Sequence, residues 1–141
     1  MDGACHCGTV RLKVRLADGL RSARRCDCSY CRMRGCIAVS ARLNDLEVVS
    51  GADALTTYQF NTGTAKHHFC SKCGIYTHHR RRSNPNEYGV NAAVLAGVSP
   101  FDFAEVIVLD GRNHPSDGNS GAGIAGMLRF EPAGEDYKKA R

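Results

Sequence analysis

Three thiols fall within six residues in the stretch Cys26-Asp27-Cys28-Ser29-Tyr30-Cys31. That spacing is too tight for an ordinary disulfide framework, but thiolates from one short loop can reach a single metal ion at about 2.3 Å. Two further pairs flank the trio, Cys5-His6-Cys7 near the start and Cys70-Ser71-Lys72-Cys73 in the middle. A Cys-X-X-Cys turn followed by glycine, here Gly74, is the pattern of a zinc knuckle. It needs a second pair to complete a tetrahedron, and Cys5 and Cys7 supply one. The spacing therefore predicts a structural zinc at Cys5, Cys7, Cys70 and Cys73. Such an ion contributes on the order of 10 kcal/mol of folding free energy. Cys26, Cys28 and Cys31 predict a second zinc whose fourth position is left to water or substrate, the arrangement of a catalytic ion. Three thiolates leave such a site with a formal charge of about −1. That charge disfavours hydroxide formation and favours holding a substrate thiolate or polarising a small carbonyl.

Other assignments of these cysteines stay open. Cys70 and Cys73 also fit a redox dithiol, although no βαβ pattern surrounds them. The knuckle could instead pair with the trio, leaving Cys5 and Cys7 as surface thiols. Cys36 could close the second site, making it structural, but it begins the apolar run Ile37, Ala38, Val39, which suits a buried unligated thiol. Arg32 and Arg34 follow the trio, and Arg80, Arg81 and Arg82 follow the knuckle's strand. Together they predict a cationic mouth for a substrate bearing carboxylates, with Arg32 or Arg34 offering two-point contacts. Any one of them alone reads equally as a solvated basic face. His78 and His79 fall on opposite faces of a predicted strand, so at most one can face a given site. His114, in Asn113-His114-Pro115-Ser116-Asp117, sits in a glycine-rich segment that reads as a lid, a proton-transfer group or a plain turn.

The elements that must position these residues are strands. Val10, Leu12, Val14 and Leu16 alternate with Arg11, Lys13 and Arg15, a half-buried strand with a wet cationic face. Short strands are expected over 36–41, 46–49, 55–60, 66–69, 75–80, 103–109 and 124–130. Asn61-Thr62-Gly63-Thr64 reads as the hairpin turn into the strand that delivers the knuckle. Residues 88–95 are ambiguous between strand and short helix. The segment 111–123 has no periodicity, and loops of that length are commonly functional or disordered. The tail from about residue 131 is polar and expected to fray. No long amphipathic helix and no internal repeat is visible, so the expectation is a mainly β protein.

At 141 residues the chain reads as one domain, residues 1–141, long enough for a real core. Five Tyr, five Phe, no Trp and 15 Gly suit a turn-rich protein. A formal charge of +5 fits an anionic small molecule as readily as nucleic acid. No leader peptide and no apolar run of membrane-spanning length is seen. The expected location is cytoplasmic, where thiols stay reduced and clustered cysteines serve as metal ligands.

Four motifs resemble the glutathione-dependent formaldehyde-activating (Gfa-like) family, to which centromere protein V is also related. They are Gly3-Ala4-Cys5-His6-Cys7-Gly8-Thr9-Val10, Cys26 to Arg32, Phe69 to Gly74, and Gly111-Arg112-Asn113-His114-Pro115. The resemblance implies a β-tent zinc fold of small antiparallel sheets. It implies two zinc ions per chain, a structural one at Cys5, Cys7, Cys70 and Cys73 and a catalytic one at Cys26, Cys28 and Cys31. It also implies a carbon–sulfur lyase or synthase that adds formaldehyde reversibly to glutathione or a similar thiol, giving S-(hydroxymethyl)glutathione. Two positions depart from the family's frequent pattern: Asp27, where His is common, and Met33, where Lys is common. A zinc module binding nucleic acid or protein through its basic face is the alternative. No aromatics interleave with the arginines, and the cysteine spacing is not that of a two-Cys, two-His finger, so nucleic acid is not the expected partner.

Overall fold

The computed structural model describes residues 1–114, 117–118 and 123–135. Its strands are β1 (Asp2–Ala4), β2 (Arg11–Leu16), β3 (Arg24–Cys26), β4 (Ala38–Ser50), β5 (Leu55–Tyr58), β6 (Lys66–Cys70), β7 (Tyr76–Arg80), β8 (Glu87–Asn91), β9 (Glu105–Leu109) and β10 (Ile124–Arg129). An α-helical turn, α1, covers Cys31–Arg34. The protein is mainly β, and no helix among the described residues is long and apolar enough to cross a membrane.

The strands join in one mixed sheet rather than in separate small antiparallel ones. Its main path runs β10-β9-β3-β4-β8-β7-β6-β5, with β2 paired to β4 and β1 to β2. The cause is β4. Two short strands expected at 36–41 and 46–49 are a single strand of 13 residues. Its first part carries β3 and β8, and β2 runs along it from Ala41 to Ser50, so one backbone links every layer. Between Arg42 and Asp45 the polar residues sit among half-buried neighbours instead of marking a turn, which is why composition alone splits the strand. The pairing of β3 with β9 is parallel, bringing Cys26 beside Leu109.

Alternation in β2 holds as the sequence requires: Leu12 and Val14 are buried while Arg11, Lys13 and Arg15 are exposed. The buried face meets Val10, Val39, Ala41, Val90, Val94 and Leu95 in one core, which also contains Cys5 and Cys70. Burying each such aliphatic side chain stabilises the fold by about 1.5–3 kcal/mol. Residues 88–95 are strand and helix in turn: β8 ends at Asn91, whose side chain accepts the Ala93 amide and caps a 3-10 turn over Ala92–Val94. Of the strand expected at 124–130, Ile124–Arg129 forms β10, paired with β9 and exposed along its whole length. Pro115, Ser116 and the chain from residue 136 lie outside the described residues, and with them part of the expected lid and tail.

Candidate metal centres

The first cluster is built by two tight turns. Cys5 N–H donates to Val10 O and Gly8 N–H to Cys5 O, folding the 5–10 segment so that Cys5 and Cys7 point together. At the knuckle, Gly74 N–H donates to Cys70 O and Cys70 N–H to Ile75 O, the reversal between β6 and β7. The Sγ atoms of Cys5, Cys7, Cys70 and Cys73 lie within 4.8 Å of one another, with Cys5–Cys7 at 3.6 Å and Cys7–Cys70 at 3.8 Å. A tetrahedral ion with metal–sulfur bonds of about 2.3 Å sets its sulfurs about 3.8 Å apart, so this quartet fits one. All eight cysteines are free thiols. Burial pushes the Cys5 thiol up to about 11, whereas hydrogen bonding with Thr9 holds Cys7 down to about 6. Thiols this close cannot all ionise unless a cation compensates them.

The second cluster sits where β3 runs out into α1. Sγ atoms of Cys26, Cys28 and Cys31 lie within 4.8 Å of one another, and all three residues are half-buried. Backbone amides support them: Cys28 N–H points to Cys26 Sγ at 3.5 Å and Cys31 N–H to Cys28 Sγ at 3.3 Å. Contacts with the thiols of Cys26 and Cys31 hold Cys28 well below the usual thiol range, while contacts with Cys26 and Cys28 push Cys31 up. No fourth thiol joins this trio among the described residues. Cys36 lines the same cavity but stays outside the cluster. The first cluster is thus complete in itself, and the second has room for one more ligand. Both can hold a metal ion, and an all-thiolate donor set suits zinc.

The loop after β9 closes over the trio. Asp27 N–H donates to Leu109 O, and Gly111 N–H donates to Asp27 Oδ1 at 2.8 Å, while Arg112 Nε lies 3.4 Å from Asp27 Oδ2. Gly111 approaches so closely that a β-carbon there would lie 2.4 Å from Cys26 Sγ.

The trio opens into a cavity of about 580 Å³. Arg34 is fixed in its wall. Its Nη2 points at Cys31 Sγ at 3.4 Å, Nη1 meets His67 Nδ1 at 2.9 Å, and Cζ stacks 3.6 Å above the Tyr76 ring. A guanidinium only donates, so His67 Nδ1 accepts and the ring proton resides on Nε2. Burial, then the charge of Arg34, holds His67 neutral with a pKa down to about 4. His67 stacks on His79, whose Nδ1 bonds Tyr76 Oη, and Tyr76 Oη donates in turn to Gly89 O. Gly89 is needed there, because a β-carbon would strike the His79 ring at 2.3 Å.

Arg34 therefore sits against the thiols, and Arg32 does not: it is exposed on α1 and is not part of the cavity wall. Arg81 and Arg82 line the cavity, whereas Arg80 turns to Pro85 O. His79 faces the cavity, and His78 points to the other side of the sheet, bonded to Thr77 Oγ1 and edge-on to Tyr88. His114 is half-buried in the cavity wall. Sequence reasoning gave no site role to His67, Tyr76 or Arg25, and placed Gly111 in a motif without a role of its own. A signal existed for His67: the hairpin around the knuckle pairs His67 with His79 and His68 with His78, so the two His-His dipeptides share faces.

A mainly β scaffold carrying one complete four-thiol cluster and one open three-thiol cluster in a cavity defines a protein with two cysteine sites that could each hold a metal ion. Comparison with known families narrows this. The chain belongs to the glutathione-dependent formaldehyde-activating enzyme family, whose model matches residues 1–106. A Halomonas elongata protein carrying the provisional name glutathione-dependent formaldehyde-activating enzyme is 36% identical over 81 residues, covering 52% of this chain and 51% of its own. This chain thus spans about half the length of that curated relative. The crystal structure of a Rhodobacter sphaeroides protein is similar at 64% identity and a TM-score of 0.76, covering 77% of this chain and 99% of that one.

Proposed function

We propose that the protein is a zinc enzyme that adds a small aldehyde, formaldehyde, reversibly to glutathione or a similar thiol. The observation carrying this reading is the contrast between the clusters. One set of four thiols is closed, and one set of three faces a cavity with a fixed cation against it. Cys5, Cys7, Cys70 and Cys73 would hold a structural zinc, and Cys26, Cys28 and Cys31 a catalytic one. Zinc at the trio would supply what zinc supplies generally, a thiol held as thiolate and a polarised carbonyl.

The remaining work falls to the chain. Arg34, lying against Cys31, offsets the excess negative charge of three thiolates, and the His67 and Tyr76 contacts keep it there without a substrate. The cavity carries cationic walls for a thiol bearing carboxylates. In the reaction the thiol sulfur bonds to the aldehyde carbon, the carbonyl π pair moves to oxygen, and the thiol proton completes the hydroxyl. Nothing is oxidised or reduced. The arginines line a concave cavity and three of them pair with chain carboxylates, which favours a small ligand over nucleic acid. Free thiols at every cysteine suit a reducing, cytoplasmic setting.

The test is Cys28→Ser. The expected result is loss of one of two bound zinc ions together with turnover of formaldehyde and glutathione. Loss of one zinc with turnover intact would remove the trio from the chemistry.

A further inference from the structure

Six arginines line the cavity beside the trio, and five are committed within the chain. Arg81 pairs with Glu87, Arg82 with Asp117 and Arg112 with Asp27. Arg24 is buried and donates to Ser22 O and Ser40 Oγ. Arg34 is held by Cys31, His67 and Tyr76. Arg25 is the exception: its side chain has no hydrogen bond or ion pair with any described residue. The carboxylates on the same wall do not compete for it. Asp117 is taken by Arg82, and Asp110 accepts from the amides of Arg112 and Asn113 and from the Asn113 side chain.

Arg25 lines the same cavity as the three thiols. It lies on β3 next to Cys26, half-buried, and its guanidinium reaches the far end of the turn that presents Cys31. A β-carbon on Gly35, the cap of that turn, would lie 3.3 Å from Arg25 Nη2. A guanidinium held in a concave wall has lost part of its hydration without gaining a partner. An anion with two coplanar oxygens restores both hydrogen bonds at once.

We propose that Arg25 is the carboxylate anchor of this site. It grips a carboxylate of the incoming thiol through both guanidinium edges and so selects thiols that carry one. The inference rests on the thiol–aldehyde reading above, since the thiol brings the carboxylate to this wall. It also separates two duties that the sequence gives to Arg32 and Arg34 together. Arg34 serves the thiolates, and Arg25 serves the ligand's distant charge.

Calorimetric binding of glutathione and of 2-mercaptoethanol, a thiol without carboxylates, to the metal-loaded full chain tests this, with metal content measured for each variant. Arg25→Gln is expected to weaken glutathione about tenfold and 2-mercaptoethanol less than about twofold. Arg25→Lys, which keeps the charge but not the fork, is expected to fall between wild type and Arg25→Gln. Equal weakening of both thiols, or wild-type affinity for glutathione in Arg25→Gln, overturns the anchor. The outcomes also separate the two readings. Arg25-dependent binding without turnover of formaldehyde would remove the reaction and keep the anchor, and turnover with Arg25-independent binding would do the reverse.

Discussion

Replacing Gly111 by alanine probes the contact that holds the three-thiol cluster in shape. The new β-carbon would lie 2.4 Å from Cys26 Sγ, 2.7 Å from Cys28 Cβ and 2.9 Å from Cys28 N, all inside the 3.0 Å limit of real β-carbon contacts. The sulfur must therefore move by at least 3.0 minus 2.4, or 0.6 Å. Metal–sulfur distances tolerate about 0.2 Å, so the displacement is about three times what a bound ion allows. Rotating Cys26 does not relieve the clash, because one of the three contacts is with the Cys28 backbone. The loop cannot simply lift, because Gly111 N–H is bonded to Asp27 Oδ1. Overpacking of this kind costs about 1–3 kcal/mol of stability. A shell residue that misplaces ligands weakens metal binding by about 10–100-fold. The assay is metal content followed by chelator competition on Gly111→Ala, with Gly126→Ala, which meets nothing within 4 Å, as control. The expected result is one ion held as in wild type, at Cys5, Cys7, Cys70 and Cys73, and one held weakly. Two ions of wild-type affinity in Gly111→Ala would refute the argument that this loop and the trio are packed as one unit.

Asp27→Ala removes the acceptor of the Gly111 amide and should cost about 1 kcal/mol, with faster amide exchange at Gly111 as its signature. The Arg112 partner adds little, because that arginine is 72% exposed. Cys70→Ser breaks the complete cluster in the core, so it should release one ion and lower stability by several kcal/mol, seen as a large fall in melting temperature. Burial, reinforced by His68, lowers the His78 pKa to about 3, so the folded chain keeps this ring neutral after the unfolded chain has charged it. Its contribution is intact above about pH 6.5 and is lost on acidification at about 1.4 kcal/mol per pH unit down to about pH 3. Denaturation of His78→Gln between pH 6.5 and 4 should accordingly show a shallower loss than wild type, and equal slopes would remove His78 from the acid response.

Much of this was legible before any coordinates, and for a definite reason. Cys26, Cys28 and Cys31 lie in one short loop, as do Cys70 and Cys73, so covalent geometry alone brings each group's sulfurs near one another. Strand β2 is equally readable, because an alternation of aliphatic and cationic residues has one stable orientation on a half-buried sheet. Tertiary structure decided what depends on partners distant in sequence. Cys5 and Cys7 meet the knuckle because both pairs are anchored on one core, and Cys36 stays out of the trio although it is only five residues away. The polar residues within β4 conceal its continuity, since their neighbours across the sheet, not their own propensity, keep them extended.

The arginines show the division most sharply. Their number and nearness to the cysteines are in the sequence, but their duties are not. Arg32 and Arg34 are two residues apart on one helical turn, and that turn sends Arg32 to solvent and Arg34 onto Cys31. Arg24 and Arg25 are adjacent on a strand, so one is buried among Ser22 and Ser40 and the other is left at the cavity wall with no side-chain partner among the described residues. The sequence by itself determined that this chain gathers thiols for metal and surrounds them with positive charge. Only the fold decided which thiols stay open and which cation, among the described residues, keeps an unpaired side chain, because side-chain facing follows from strand register, a helical turn and the loop that Gly111 allows to close.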